Sequence, residues 1–168
     1  MQRLVRALGL LLAALVAFVD LWSKALWDYP KGPLNHDAAL APTHRPVLEN
    51  WLYFHTKWNE GAAWSVRIPS WLLLWGTALA IPAIALWIFW PKRASVWDTA
   101  AKSLVLGGAV GNLYDRWRWG MVRDFIDVCF GSFDGWHYPT FNVADAALVL
   151  GIAVLFLGGL RKRPSEAA

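Results

Sequence analysis

The chain has 168 residues, of which 57% are hydrophobic and only 17% charged, and carries a net charge of +4. Soluble domains hold roughly a quarter charged residues and do not need so large an apolar fraction, so composition excludes an ordinary water-soluble fold and points to lipid. Thirteen tryptophans agree, because indole rings favour the membrane interface. The surplus of positive charge is spread over loops and termini without an aromatic and basic face, which argues against nucleic acid as a partner.

Residues 1–27 begin with Arg3 and Arg6 and continue through an unbroken apolar run from Ala7 to Val19. A secretory signal peptide starts in the same way. Here no small-x-small cleavage site follows; instead Asp20 and Lys24 stand four apart, on one face of a helix and able to pair. A retained first span over 5–27 is expected.

Residues 28–70 form a long polar and aromatic section. Pro30, Gly32, Pro33, Pro42 and Pro46 break helices through its first half. The second half alternates as strands do in LYFHTKW and AAWSVRI, with a turn expected near Asn59, Glu60 and Gly61. This predicts a small β element at the membrane surface.

Residues 71–90 contain no charge and are bounded by tryptophans. Twenty helical residues rise about 30 Å, the thickness of a bilayer's hydrocarbon core. Pro82 is expected to kink this second span. The third, over 97–115, is less apolar because of Asp98 and Lys102, which are expected to snorkel outward. Its Gly107, Gly108 and Gly111 lack the Lys and Ser or Thr of a phosphate loop and read as a smooth helix-packing face. A second polar section over 116–140 reads as loop or short helix, and 141–160 as the fourth span, interrupted only by Asn142 and Asp145. The chain thus reads as a single integral membrane domain over 1–168.

Four spans put both termini on one side. Arg3, Arg6, Lys92, Arg93, Arg161, Lys162 and Arg163 then crowd three short segments, whereas the other seven basic residues of the loops are diluted over long sections. Density selects cytoplasmic termini, with the polar sections facing outward.

Charge beside lipid is costly unless paired or used. Asp145 is expected about 7 Å inside the head of the last helix, and Asp124 in the loop leaving the third. If the two helices are neighbours, both carboxylates reach one site, where they hold a proton between them as in aspartic proteases. Asp20 with Lys24, and Asp115 with Arg116 or Arg123, read more simply as structural pairs. His36, His44, His55 and His137 show no metal-ligand spacing, and no metal or cofactor is expected. Cys129 excludes an internal disulfide and reads as a buried apolar thiol. Two rival readings remain: a small proton-coupled transporter, which would distribute acids across the membrane depth, and a non-catalytic assembly subunit.

Four blocks, DLWSK (20–24), NEGAAWS (59–65), GNLYDRWRWGMVRDFID (111–127) and FNVADA (141–146), occur in this order along nearly the whole chain. Together they resemble the bacterial lipoprotein signal peptidases, or signal peptidase II. The resemblance implies an all-α membrane protein of four transmembrane helices. It adds a small extracytoplasmic β-cradle over about 47–66 and a periplasmic loop or short helix. It implies an aspartic endopeptidase of the inner membrane, its site facing the periplasm, that cleaves diacylglyceryl-modified prolipoproteins before the lipidated cysteine. Membrane lipid and prolipoproteins are then the partners of a monomeric enzyme. The catalytic dyad maps onto Asp124 and Asp145. Asn59, Gly61, Asn112, Arg116 and Asn142 match positions that line the site, and Asp20, Lys24 and Asp115 match polar supports. Two departures are Trp64, where Phe is commoner, and a slightly long loop from Cys129 to Tyr138.

Overall fold

The computed structural model describes residues 1–27, 29, 45–61, 68–90, 95–131 and 135–161. In chain order these form helix α1 (Gln2–Ala25), strands β1 (Arg45–Leu48) and β2 (Leu52–Asn59), and helices α2 (Ser70–Phe89) and α3 (Val96–Trp119). Strands β3 (Val122–Phe130) and β4 (Trp136–His137) and helix α4 (Val143–Arg161) complete the order. Among the described residues three helices are long and apolar enough to cross a membrane: α1, α2 and residues 143–160 of α4, with mean hydropathies of 2.3, 2.1 and 2.3. Their exposed leucines, tryptophans and phenylalanines, among them Leu11, Phe18, Trp75, Leu79, Leu86 and Phe156, would be untenable in water and are natural in lipid.

Helix α3 is as long as α1 and is packed by the other three. Its buried face carries Lys102, Ser103, Asn112 and Asp115 beside Gly107, Gly108 and Gly111, so polarity on this helix points into protein rather than lipid. The glycines permit that packing. A Cβ on Gly107 would strike the Ala13 carbonyl of α1, one on Gly108 the Ala144 carbonyl of α4, and one on Gly111 the Asp20 carboxylate. Lys102 corrects the expectation of outward snorkelling. It is 3% exposed and holds Asp98 at 2.7 Å over the Trp87 ring, because the end of α2 lies across its path to the surface.

The strands form one antiparallel sheet in the order β1-β2-β3-β4. The turn between β1 and β2 falls at residues 49–51, with Asn50 at φ 66°, and β2 ends at Asn59, where a turn was expected, with the Gly61 N–H on Asn59 Oδ1. Of the second expected strand, residues 62–67 lie outside the described residues. The polar section over 116–140 is also corrected. Helix α3 continues to Trp119, Gly120 ends it at φ 76° with its N–H on the Arg116 carbonyl, and VRDFIDVCF is a strand. Its arginine and two aspartates gave it the look of a loop, but pairing with β2 supplies backbone partners, and Val122, Asp124, Phe125, Asp127 and Cys129 are buried. Trp27, Phe54 and Phe125 stack between the end of α1 and the sheet, with ring centroids 4.6 to 6.0 Å apart.

Candidate active site

Asp124 is the third residue of β3 and 1% exposed. Its position is set from both sides. Preceding it, Arg123 folds back on the last turns of α3: its backbone N–H donates to Asp115 Oδ2 at 3.0 Å, and its Nε and Nη2 donate to Oδ1 at 3.1 and 2.8 Å. Across the sheet, Asn59 at the end of β2 donates to Asp124 Oδ2 at 2.9 Å, while its own Oδ1 accepts the Gly61 N–H at 3.0 Å. Asn142 Nδ2 donates to Asp124 Oδ1 at 2.7 Å.

Asn142 is also the N-cap of α4. Its Oδ1 accepts the Asp145 N–H at 2.9 Å, and Asp145 Oδ2 accepts the Asn142 N–H at 3.2 Å, a reciprocal capping box. Asp145 therefore stands in the first helical turn, where the helix dipole favours a carboxylate, rather than 7 Å inside the helix. The expectation placed the helix start too early because the apolar run begins before the cap. Asn112 of α3 donates to Asp145 Oδ1 at 2.8 Å. One asparagine thus holds both carboxylates, and each carboxylate oxygen accepts an N–H.

Beneath them lies a buried charged layer. Lys24 Nζ meets Asp20 at 2.7 Å, Asp115 at 3.1 Å and Asn112 Oδ1 at 3.2 Å. The other oxygen of Asp20 accepts the Ala144 N–H at 2.8 Å, tying α1 to the head of α4. Asp20 pairs with Lys24 as expected. Asp115 pairs with Arg123 and Lys24, while Arg116 turns away to donate to the Gly61 carbonyl at 3.3 Å. All ten residues singled out from the sequence fall in this network. Sequence reasoning passed over Asp127, His55 and His137, which meet on the sheet beside it; strand spacing from Asp124 to Asp127 carries no signal for shared chemistry.

Burial pushes the Asp124 carboxyl up to about 7, and the nearby Asp145 carboxylate adds to the shift, while the Asn59 and Asn142 amides oppose it. Asp124 and Asp145 open onto one cavity of about 2250 Å³. Arg116 and Trp119 line it, and Leu148, Ile152 and Phe156 carry it along the apolar face of α4. A narrower hollow of about 340 Å³ between α2, α3 and α4 also reaches Asp145 and Arg116. A hydrogen-bonded pair of carboxylates, Asp124 buried and Asp145 half-buried, at the head of a greasy groove suits acid–base chemistry on an amphiphile.

Two solved structures, both described as bacterial membrane enzymes, share this architecture. One superposes with a TM-score of 0.76 at 23% identity, covering 96% of this chain and 95% of that one. The other gives 0.73 at 24% identity, covering 93% and 94%. The chain therefore shares the fold of these two proteins, a small helical membrane architecture with an antiparallel sheet at one end.

The chain belongs to the signal peptidase II family: the family model described as signal peptidase (SPase) II matches residues 12–161. A lipoprotein signal peptidase of Rhizorhabdus wittichii is 39% identical over 166 residues, covering 94% of this chain and 88% of the relative. One of Xanthomonas axonopodis pv. citri is 39% identical over 156 residues, covering 88% and 84%. Membership makes the protein a peptidase of bacterial membranes.

Proposed function

We propose that this protein is an aspartic endopeptidase that removes the signal peptide from diacylglyceryl-modified prolipoproteins, cutting on the N-terminal side of the lipidated cysteine. The observation that carries the reading is the joint hold of Asn142 on Asp124 and Asp145 at the head of an apolar groove. A substrate with acyl chains at the cleavage point must be approached from within the bilayer, and the α4 face offers that approach.

Asp124 and Asp145 share one proton. The ionised member takes a proton from water, the water oxygen attacks the scissile carbonyl, and the protonated member hydrogen-bonds the carbonyl oxygen as it gains charge. Collapse of the tetrahedral intermediate breaks the C–N bond, and the proton taken from water passes to the leaving amine of the cysteine. Asn59, Asn112 and Asn142 hold the carboxylates without adding charge, and Arg116 with Gly61 shapes the entrance. Helix α3 serves as the fourth span, shielded by its neighbours. Both termini then lie in the cytoplasm, the site faces the periplasm of the inner membrane, and a single copy of the chain suffices.

The test uses purified protein in detergent with a diacylglyceryl-modified prolipoprotein, following the mass shift beside the Asp145→Asn variant. Cleavage before the lipidated cysteine by wild type alone is expected; no cleavage by folded wild type would return the transporter and scaffold readings. Chelators are expected to leave the rate unchanged, and a reproducible loss with EDTA would refute the metal-free mechanism.

The same assay across pH reads the proton. Above about 7 Asp124 ionises, both carboxylates carry charge and the acid is lost, so turnover is expected to fall as pH rises through that value. Stability follows the same sign. The folded state binds this proton more tightly than the unfolded chain, so the stabilisation is complete below the usual 3.8 and lost as pH rises through about 7. An activity that keeps rising beyond pH 9 would contradict the assignment.

A further inference from the structure

Three residues beyond Asp124, the same strand carries a second buried carboxylate that the proposed chemistry leaves idle. Asp127 is 2% exposed, and two imidazoles meet it. His137 Nδ1 lies 2.8 Å from Oδ1, and His55 Nδ1 lies 3.4 Å from Oδ2. A carboxylate accepts only, so His137 carries its hydrogen on Nδ1 and donates it. His55 stands where the register slips: Phe54 pairs with Ile126 and Lys57 with Asp124, so β2 takes three steps against two on β3. Such a bulge re-aims side chains, here toward Asp127.

The position of His137 gives this contact its consequence. Strand β4 is two residues long and joins β3 through the pairs Cys129 with His137 and Phe130 with Trp136. Four residues on, the Phe141 carbonyl accepts the N–H groups of Phe125 and Ile126 at 3.1 and 2.9 Å, and its N–H donates to the Ile126 carbonyl at 3.0 Å. Asn142 follows, reaching Asp124 and capping α4. The segment 137–142 is thus bracketed onto β3 by two side-chain bridges, His137 to Asp127 at one end and Asn142 to Asp124 at the other.

We infer that Asp127 is a positioning residue, which through His137 anchors the 137–142 segment on β3 and so sets where Asn142 and Asp145 stand relative to Asp124. The inference rests on the reading of Asp124 and Asp145 as the working pair. A bridge that only stabilised the sheet would change how much protein folds. A positioning bridge changes turnover per folded molecule, because small misplacements of reacting groups are costly, while binding along the apolar α4 face is untouched.

The experiment compares wild type with His137→Asn, His137→Gln and His137→Ala in the prolipoprotein assay, with kcat normalised to folded protein from gel filtration in detergent. The Asn amide can donate from the place of Nδ1; the longer Gln amide mimics Nε2. His137→Asn is expected to stay within about threefold of wild type, and His137→Gln and His137→Ala to lose about tenfold or more in kcat, with KM within threefold throughout. Should His137→Ala not fold, the Asn and Gln pair carries the test. Equal kcat for Asn and Gln, or a loss confined to KM, overturns the positioning role while leaving the proposed function intact. A wild type that does not cleave takes both down.

Discussion

Asp124→Asn and Asp145→Asn are each expected to lower prolipoprotein cleavage by about a thousandfold or more, since general acid–base groups contribute about 10²–10⁴ and the pair acts as a unit. The replacement is nearly isosteric, so shape survives while the shared proton does not. Asp145→Asn keeps an oxygen to accept either the Asn112 amide or the Asn142 N–H, so α4 should still start at Asn142. Asp124→Asn removes a carboxyl whose ionised form is disfavoured by burial and by Asp145, so above about pH 7 the variant should unfold no more readily than wild type. Inactive but folded variants are thus the expected result. The measurement is single-turnover cleavage alongside thermal unfolding in detergent; retention of a tenth of the wild-type rate by either variant would remove that residue from the dyad.

Lys24→Met should instead act on stability. Lys24 and Arg123 balance Asp20 and Asp115 in a layer where all but Arg123 are wholly buried. Breaking a buried pair by removing one partner typically costs about 3–5 kcal/mol, because the charge left behind has neither water nor counter-ion. The loss should propagate, since Asp20 also ties α1 to the head of α4 and Lys24 steadies the Asn112 amide. Adding Asp20→Asn to Lys24→Met removes the stranded charge and should recover part of the stability, a non-additivity expected of contacting groups. Denaturation in mixed micelles measures both. A single variant as stable as wild type would show that Lys24 only fills space.

Much of this architecture is legible along the chain because lipid makes hydropathy a local property. Residues 71–90 and 143–160 need no partner to declare themselves as spans. Asp20 and Lys24 are legible for a related reason: helical periodicity alone puts them on one face. Where a second element chooses the outcome, the sequence is mute or misleading. Asp115 had two arginines within reach on paper, and the left-handed turn at Gly120 decides for Arg123 by folding β3 back over α3. Lys102 had a plausible route outward, which the end of α2 blocks. The stretch 122–130 looked like loop because its charges are read one by one, and its strand exists through hydrogen bonds to β2, some seventy positions earlier, and to β4 and Phe141 beyond it.

By itself, then, the sequence determined that the chain lives in lipid, where its most apolar helices run, and which carboxylates stand beside apolar segments. Each of these follows from the transfer free energy of residues taken in short windows. Tertiary structure alone decided that Asn142 caps α4 while holding Asp124, that Asp145 stands in the first turn, and that Asp127 meets two histidines from different strands. Those are matters of register and direction, set by hydrogen bonds between segments far apart in the chain.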